Sequence, residues 1–168
     1  MNVKQLKALL KCTDQTGRKG YQYKIFHHDG VTMATDTYVA VTVREEAHGP
    51  NGYAIALGKG EIAALPPAAE LRPTLEGWAD ETDRIAGGHL SPDLYPDLER
   101  VFREFDPDKS EKDEERYGVS PKRLKTLLGV FEAFGVEAPT MRWSGPAILL
   151  EGRGDGAEVR ALLMGVRR

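Results

Sequence analysis

The sequence predicts an α+β fold of two helix-plus-antiparallel-strand half-units, with both helices on one face of the sheet. Three observations carry this. An amphipathic helix opens the chain. A second helix of the same pattern stands near its end. Each is followed by short apolar segments of period two, separated by Gly-containing turn signals, as strands of a meander require.

The first helix is expected over Asn2 to Cys12. Asn2 can cap it and Gln5 sits three residues on, the pattern of a capping box. At ~100° per residue, Val3, Leu6, Leu9 and Leu10 share one face, and Lys4, Lys7 and Lys11 the other. Asp14 to Gly20 reads as a loop. Tyr21 to His27 alternates and reads as a strand, closed by the hairpin signal Asp29-Gly30. Val31 to Arg44 continues as strand, in two parts or one long twisted piece. Tyr53 to Leu57 forms another strand after the turn at 48–52, and Glu61 to Leu65 a helical turn.

Pro66, Pro67 and Pro73 break regular structure in the middle of the chain. Thr82 to Ala86 is expected to be a strand and Leu98 to Phe105 a short helix. Asp106 to Arg116 is a charge run that reads as a solvated loop. Tyr117 to Val119 forms a short strand. Ser120 then caps a helix with Pro121 in its first position, and Gly135 stops it. Strands follow at Thr140–Trp143, Ala147–Glu151 and Val159–Val166, with turns at Gly145-Pro146 and Gly152 to Gly156.

A repeat underlies this order. Lys4 to Leu10 and Lys122 to Leu128 agree at five of seven positions. The expected organisation is one domain: a half-unit over 1–65, a variable middle segment over 66–116, and a half-unit over 117–168. The 168 residues are 40% hydrophobic and 29% charged, a globular mix. One cysteine excludes a disulfide framework and fits a reducing compartment. No apolar run approaches the ~18 residues of a membrane span, so a cytoplasmic protein is expected. The net charge of −3 argues against a wholly basic surface but allows a local basic face.

Five stretches, in order, resemble the bacterial DNA polymerase III β sliding clamp family. Met33-Ala34-Thr35-Asp36-Thr37-Tyr38-Val39-Ala40 looks like its Ala-Thr-Asp-x-(His/Tyr)-Arg-Leu-Ala strand. Tyr53 to Leu65, with Gly58-Lys59-Gly60, looks like the apolar strand and helix start that follow. Tyr95-Pro96-Asp97-Leu98 looks like Phe-Pro-Asp-Tyr, and Tyr117-Gly118-Val119-Ser120 like Phe-Asn-Val-Ser. Leu162 to Arg167 looks like the closing Val-Met-Pro-Met-Arg-Leu. The chain is under half the length of a clamp protomer. Val39 replaces the usual Arg, and Gly165 the usual Pro. The resemblance implies a reduced, one-domain clamp-like protein, of a kind phages could carry.

A clamp does no bond chemistry. The resemblance implies that Lys4, Lys7, Lys11, Lys122, Arg123 and Lys125 face duplex DNA and meet phosphates without reading bases. It also implies a pocket for peptides of polymerases or clamp loaders, walled by Thr35, Thr37, Tyr38, Ala40, Met164, Val166 and Arg167. No cofactor, metal or catalytic residue is expected, and a ring would need several copies of the chain. Two other readings stand beside this one. The first is a clamp-fold binding module, or decoy for clamp-binding peptides, that does not encircle DNA. The second is a small metal-dependent hydrolase using His27, His28 and Asp29. Adjacent strand residues point to opposite faces, which works against a shared ion there. Gly152 to Gly156 lies between strands with no helix to cradle a phosphate, and Cys12 has no evident His partner.

Overall fold

The computed structural model describes residues 1–14, 16, 24–45, 55–89, 91, 95–105 and 117–167. The charge run at 106–116, the turn at 48–52, most of the 14–20 loop and the start of the Tyr21 strand lie outside them. Helix α1 (Val3–Leu10) opens the chain with the expected capping box. Asn2 Oδ1 accepts from the Gln5 amide at 3.0 Å, and Gln5 Oε1 accepts from the Asn2 amide at 2.8 Å. Strands β1 (Ile25–His28), β2 (Val31–Thr35) and β3 (Val39–Glu45) form a meander, and β4 (Ile55–Leu57) pairs back onto β1. Asp29 and Gly30 turn the first hairpin with positive φ, as their types allow.

The second half repeats the plan. After β9 (Tyr117–Gly118), helix α4 (Pro121–Ala133) is capped by Ser120. It ends in a Schellman motif around Gly135 at φ +68°, where the Val136 amide donates to the Phe131 carbonyl at 2.9 Å. Strands β10 (Thr140–Ser144), β11 (Ala147–Gly154) and β12 (Ala157–Met164) form the second meander. The turn between β11 and β12 is shorter than the sequence predicts. Asp155 and Gly156, both at positive φ, turn it alone, so the ladder runs to Gly154 and restarts at Ala157. The expected last strand stops at Met164. Val166–Arg167 forms β13, which leaves the main sheet to pair with β9.

Among the described residues the two meanders form one antiparallel sheet through β3 and β12, in the order β10-β11-β12-β3-β2-β1-β4-β8, where β8 is Gly88–His89. Their register is that of a repeat. The shift of 118 positions that takes Lys4 to Lys122 also takes Thr42 to Arg160. Thr42 and Arg160 are direct partners in the β3–β12 ladder, so the half-units meet about a local pseudo-dyad.

One face of the sheet carries α1 and α4 side by side. Leu6, Leu9 and Leu10 of α1 and Leu127, Val130 and Phe131 of α4 share a core with Val41, Val43, Val159 and Ala161. The other face carries α3 (Leu98–Arg103), whose Leu98 and Phe102 pack with Phe26, Met33, Ala40 and Leu162. Alternate residues of the same strands enter the two cores, as strand geometry dictates.

The middle segment contributes more than the sequence suggests. Helix α2 (Lys59–Ala63) overlaps the helical turn expected over Glu61 to Leu65 but starts two residues earlier. Strands β5 (Arg72–Pro73), β6 (Trp78–Ala79) and β7 (Ile85–Ala86) form a small sheet, so the expected strand at Thr82 narrows to two residues. Pro73 is accommodated because β5 is an edge strand. Leu71 and Trp78 are fully buried in the α1/α4 core. Asp80 fixes the β6–β7 turn. It accepts from the Thr82 hydroxyl at 2.7 Å, the Thr82 amide at 2.8 Å and the Arg84 amide at 3.1 Å. These bonds, the hydroxyl's first, hold its carboxyl well below the usual carboxylate range.

Candidate nucleic-acid and peptide interfaces

Packing α1 against α4 brings their lysines together. Burying Leu6, Leu9 and Leu10 of α1 and Leu127, Val130 and Phe131 of α4 turns the opposite stripes outward, and Lys4, Lys7, Lys11, Lys122 and Lys125 are all exposed. They line shallow grooves along the helix pair, with Ala8 and Gly129 at the bottom and Glu132 the acidic residue present. None of the five makes an ion pair with an Asp or Glu among the described residues. The result is a positively charged strip on a chain whose net charge is −3.

Arg123, grouped with these lysines on sequence grounds, points elsewhere. Its guanidinium lies 4.1 Å from the Tyr38 ring centroid, and its Nε is 3.6 Å from Asp36 Oδ2. It bridges α4 to the turn between β2 and β3. That stretch, Met33 to Ala40, is a hairpin rather than the single strand of the sequence comparison. Asp36 Oδ1 accepts from the Tyr38 and Val39 amides, each at 2.8 Å, and the Thr35 hydroxyl donates to the Val39 carbonyl at 2.7 Å. Between them Thr37 sits at φ +78°, a left-handed conformation that a β-branched residue rarely adopts.

Tyr38 and Met164, 126 positions apart in sequence, are neighbours. The Met164 amide donates to the Tyr38 carbonyl at 2.8 Å, extending the β3–β12 ladder by one bond. Both side chains are exposed, at 47% and 40%. Thr37 is exposed beside them. Thr35 and Ala40 are buried, so a ligand here would meet Thr37, Tyr38 and Met164 and not those two. Val166 and Arg167 are placed by the β13–β9 pairing next to Tyr117 and Gly118.

The His27-His28-Asp29 corner divides as strand geometry requires. His27 is buried on the α1/α4 side, with Nδ1 3.0 Å from Thr32 Oγ1 and its ring edge-on to Trp78. Burial, reinforced by His28, pushes its pKa down to about 4. His28 lies on the other face, with Nε2 3.2 Å from Asp29 Oδ2. Among the described residues no group of three or more His, Cys, Asp or Glu side chains is placed to hold a metal. Cys12 is buried, and burial, with the Asp36 charge adding, pushes its thiol up to about 12. Among the described residues no helix is long and apolar enough to cross a membrane.

Sequence reasoning missed the Arg123 bridge, because the family resemblance placed Arg123 with the neighbouring lysines on a DNA-facing surface. It also missed the stacking of Tyr95 on Phe26, at 4.4 Å and 8°, which no local pattern encodes. A scan against protein-family models finds no match, and searches of curated proteins and of solved structures find none either.

Proposed function

We propose that the chain is a clamp-like, non-catalytic tether. Its lysine strip holds duplex DNA through phosphates, and its Thr37–Tyr38–Met164 surface captures short peptides of replication proteins. The observation that carries this reading is the convergence, along two neighbouring helices, of five lysines with no ion-pair partner among the described residues, on a chain otherwise acidic. Such a strip favours a polyanion through counterion release and has no means of reading bases. Encircling DNA would require several copies. Strand β10, an edge of the main sheet with Met141 and Trp143 exposed, offers a surface for self-association.

Binding of duplex DNA is therefore expected to be weak, independent of sequence and steeply salt-dependent. Reversing Lys7 and Lys125 to Glu should weaken it and reduce the salt slope by about two units or more, read by fluorescence anisotropy across a salt series. Sequence-specific or salt-insensitive binding would contradict the proposal.

A second reading, a peptide-binding module that does not encircle DNA, is favoured by one observation. Arg123 is engaged with Tyr38 and Asp36 instead of joining the lysines. Sedimentation separates the two: the tether requires a closed oligomer on DNA, the module does not. Both readings require Met164→Ala to weaken a peptide with apolar anchors about tenfold while leaving the fold intact, since Met164 is exposed. Unchanged peptide affinity would remove the capture surface from both.

A further inference from the structure

Strand β10 ends the main sheet. One of its sides pairs with β11, and among the described residues no strand pairs with the other. An unpaired strand side is a row of backbone donors and acceptors that another strand can take up. Pro139, which has no amide hydrogen, bounds this edge before Thr140, and the Gly145-Pro146 turn bounds it after Ser144. The free edge is therefore the five residues of β10. Met141 and Trp143 stand on it 45% and 53% exposed. Their β11 partners, Leu150 and Ile148, belong to the α1/α4 core, so both point to the helix-bearing face. Arg142, opposite Leu149, points to the other face and donates to Glu151, which also accepts from Arg160 at 3.0 Å.

We propose that β10 pairs with β10 of a second copy of this chain, antiparallel, about a two-fold axis at Arg142. The order of side chains selects this occupant. Thr140, Met141, Arg142, Trp143 and Ser144 read by type as small polar, large apolar, Arg, large apolar, small polar, the same in both directions. Any strand could satisfy the backbone. A second copy also sets Met141 opposite Trp143 twice, a thioether against an aromatic ring, and Thr140 opposite Ser144 twice. The two Arg142 side chains meet at the axis, each beside its own Glu151, whose charge offsets the repulsion of like groups placed opposite. An axis perpendicular to the sheet keeps its faces, so both lysine strips lie on one side of the joined sheet. Such a contact closes at two copies. The inference does not rest on the DNA reading: it concerns association without DNA, and its failure would leave the lysine strip untouched.

The test is sedimentation velocity of the full-length protein without DNA, over a dilution series reaching millimolar concentration. A monomer–dimer equilibrium in the micromolar range is expected, as befits a small contact. Trp143→Lys should weaken it at least tenfold, and the exposure of Trp143 leaves the fold intact, which circular dichroism checks. Cysteine pairs then read the register. Directly opposed residues of antiparallel strands lie about 4.5–5.5 Å apart, within reach of a disulfide. Under oxidised glutathione, Arg142→Cys should form a covalent dimer, Thr140→Cys alone should not, and Thr140→Cys mixed with Ser144→Cys should. Cys12 is buried and stays out of the reaction. A monomer at every concentration, growth beyond two copies, or a dimer that Arg142→Cys fails to link would each overturn the proposal.

Discussion

In α1 the segment Lys-Gln-Leu-Lys-Ala-Leu-Leu buries both of its last leucines; in α4 the segment Lys-Arg-Leu-Lys-Thr-Leu-Leu buries Leu127 and leaves Leu128 42% exposed. The difference comes from what surrounds each helix. α1 packs against α2 as well as α4 and the sheet, and Leu10 is absorbed into that core. At the corresponding place α4 borders the lysine groove, and Leu128 lines it. The variable second position diverges as well. Gln5 turns back to cap its own helix, whereas Arg123 reaches across to the β2–β3 turn. A repeated helix is thus a framework in the first half-unit and a bridge to a surface turn in the second.

The largest expected effect separates the equivalent leucines. Leu10→Ala removes a buried side chain and leaves a cavity, and should cost about 2–5 kcal/mol. Leu128→Ala should change stability by no more than about 0.5 kcal/mol. Urea denaturation of both variants measures this. Equal losses would mean that the two half-units are packed alike and that the comparison fails.

The same asymmetry has a pH signature. His27 lies in the first meander, and a shift of 118 positions takes it to Gly145, which carries no side chain. The buried imidazole is held neutral, with its pKa lowered from 6.5 to about 4 by burial. Between those values the unfolded chain binds a proton that the folded chain does not. The stability is therefore fully present above pH 6.5 and is lost as pH falls toward 4, by about 3 kcal/mol. Replacing His27 with Leu should flatten the stability profile over that window, whatever it does to stability at neutral pH. An unchanged slope would place the acid sensitivity on other groups.

What the sequence made legible follows from the range of the interactions. Both main helices, their caps and the Asp29-Gly30 hairpin depend on residues within four positions of one another, and all stand in the structure. The pairing of the meanders was legible because the helix repeat implied it. Three things were not. The burial of Trp78 and Leu71 depends on a segment whose prolines suggested no structure. The length of β11 turned on Gly154, whose missing Cβ lets the backbone pass against Phe134 and Gly135, at 2.4 Å from where a Cβ would stand. The direction of Arg123 depends on a turn more than eighty residues away. Lysines exposed by a buried leucine stripe follow from periodicity; a side chain that leaves its stripe does not.

The turn that Arg123 reaches offers the smallest effect and the sharpest view of that bridge. Thr37 occupies φ +78° although it is β-branched, and an L-residue in the left-handed region costs roughly 1–2 kcal/mol. The cost is offset by a closed set of bonds: Asp36 accepting from the Tyr38 and Val39 amides, the Thr37 amide donating to the Thr35 hydroxyl at 3.1 Å, and Arg123 beside Asp36 and over Tyr38. Thr37→Gly removes the strain but adds freedom to the unfolded chain, so a net gain of about 0.5–1 kcal/mol is expected. In an Arg123→Ala background the same substitution should still stabilise, because the strain lies in the backbone and not in the bridge. If the gain instead vanishes with Arg123, then the bridge itself imposes the left-handed turn. The Gln-to-Arg difference, one of the two within the repeated segment, would then account for the shape of the surface that carries Tyr38 and Met164.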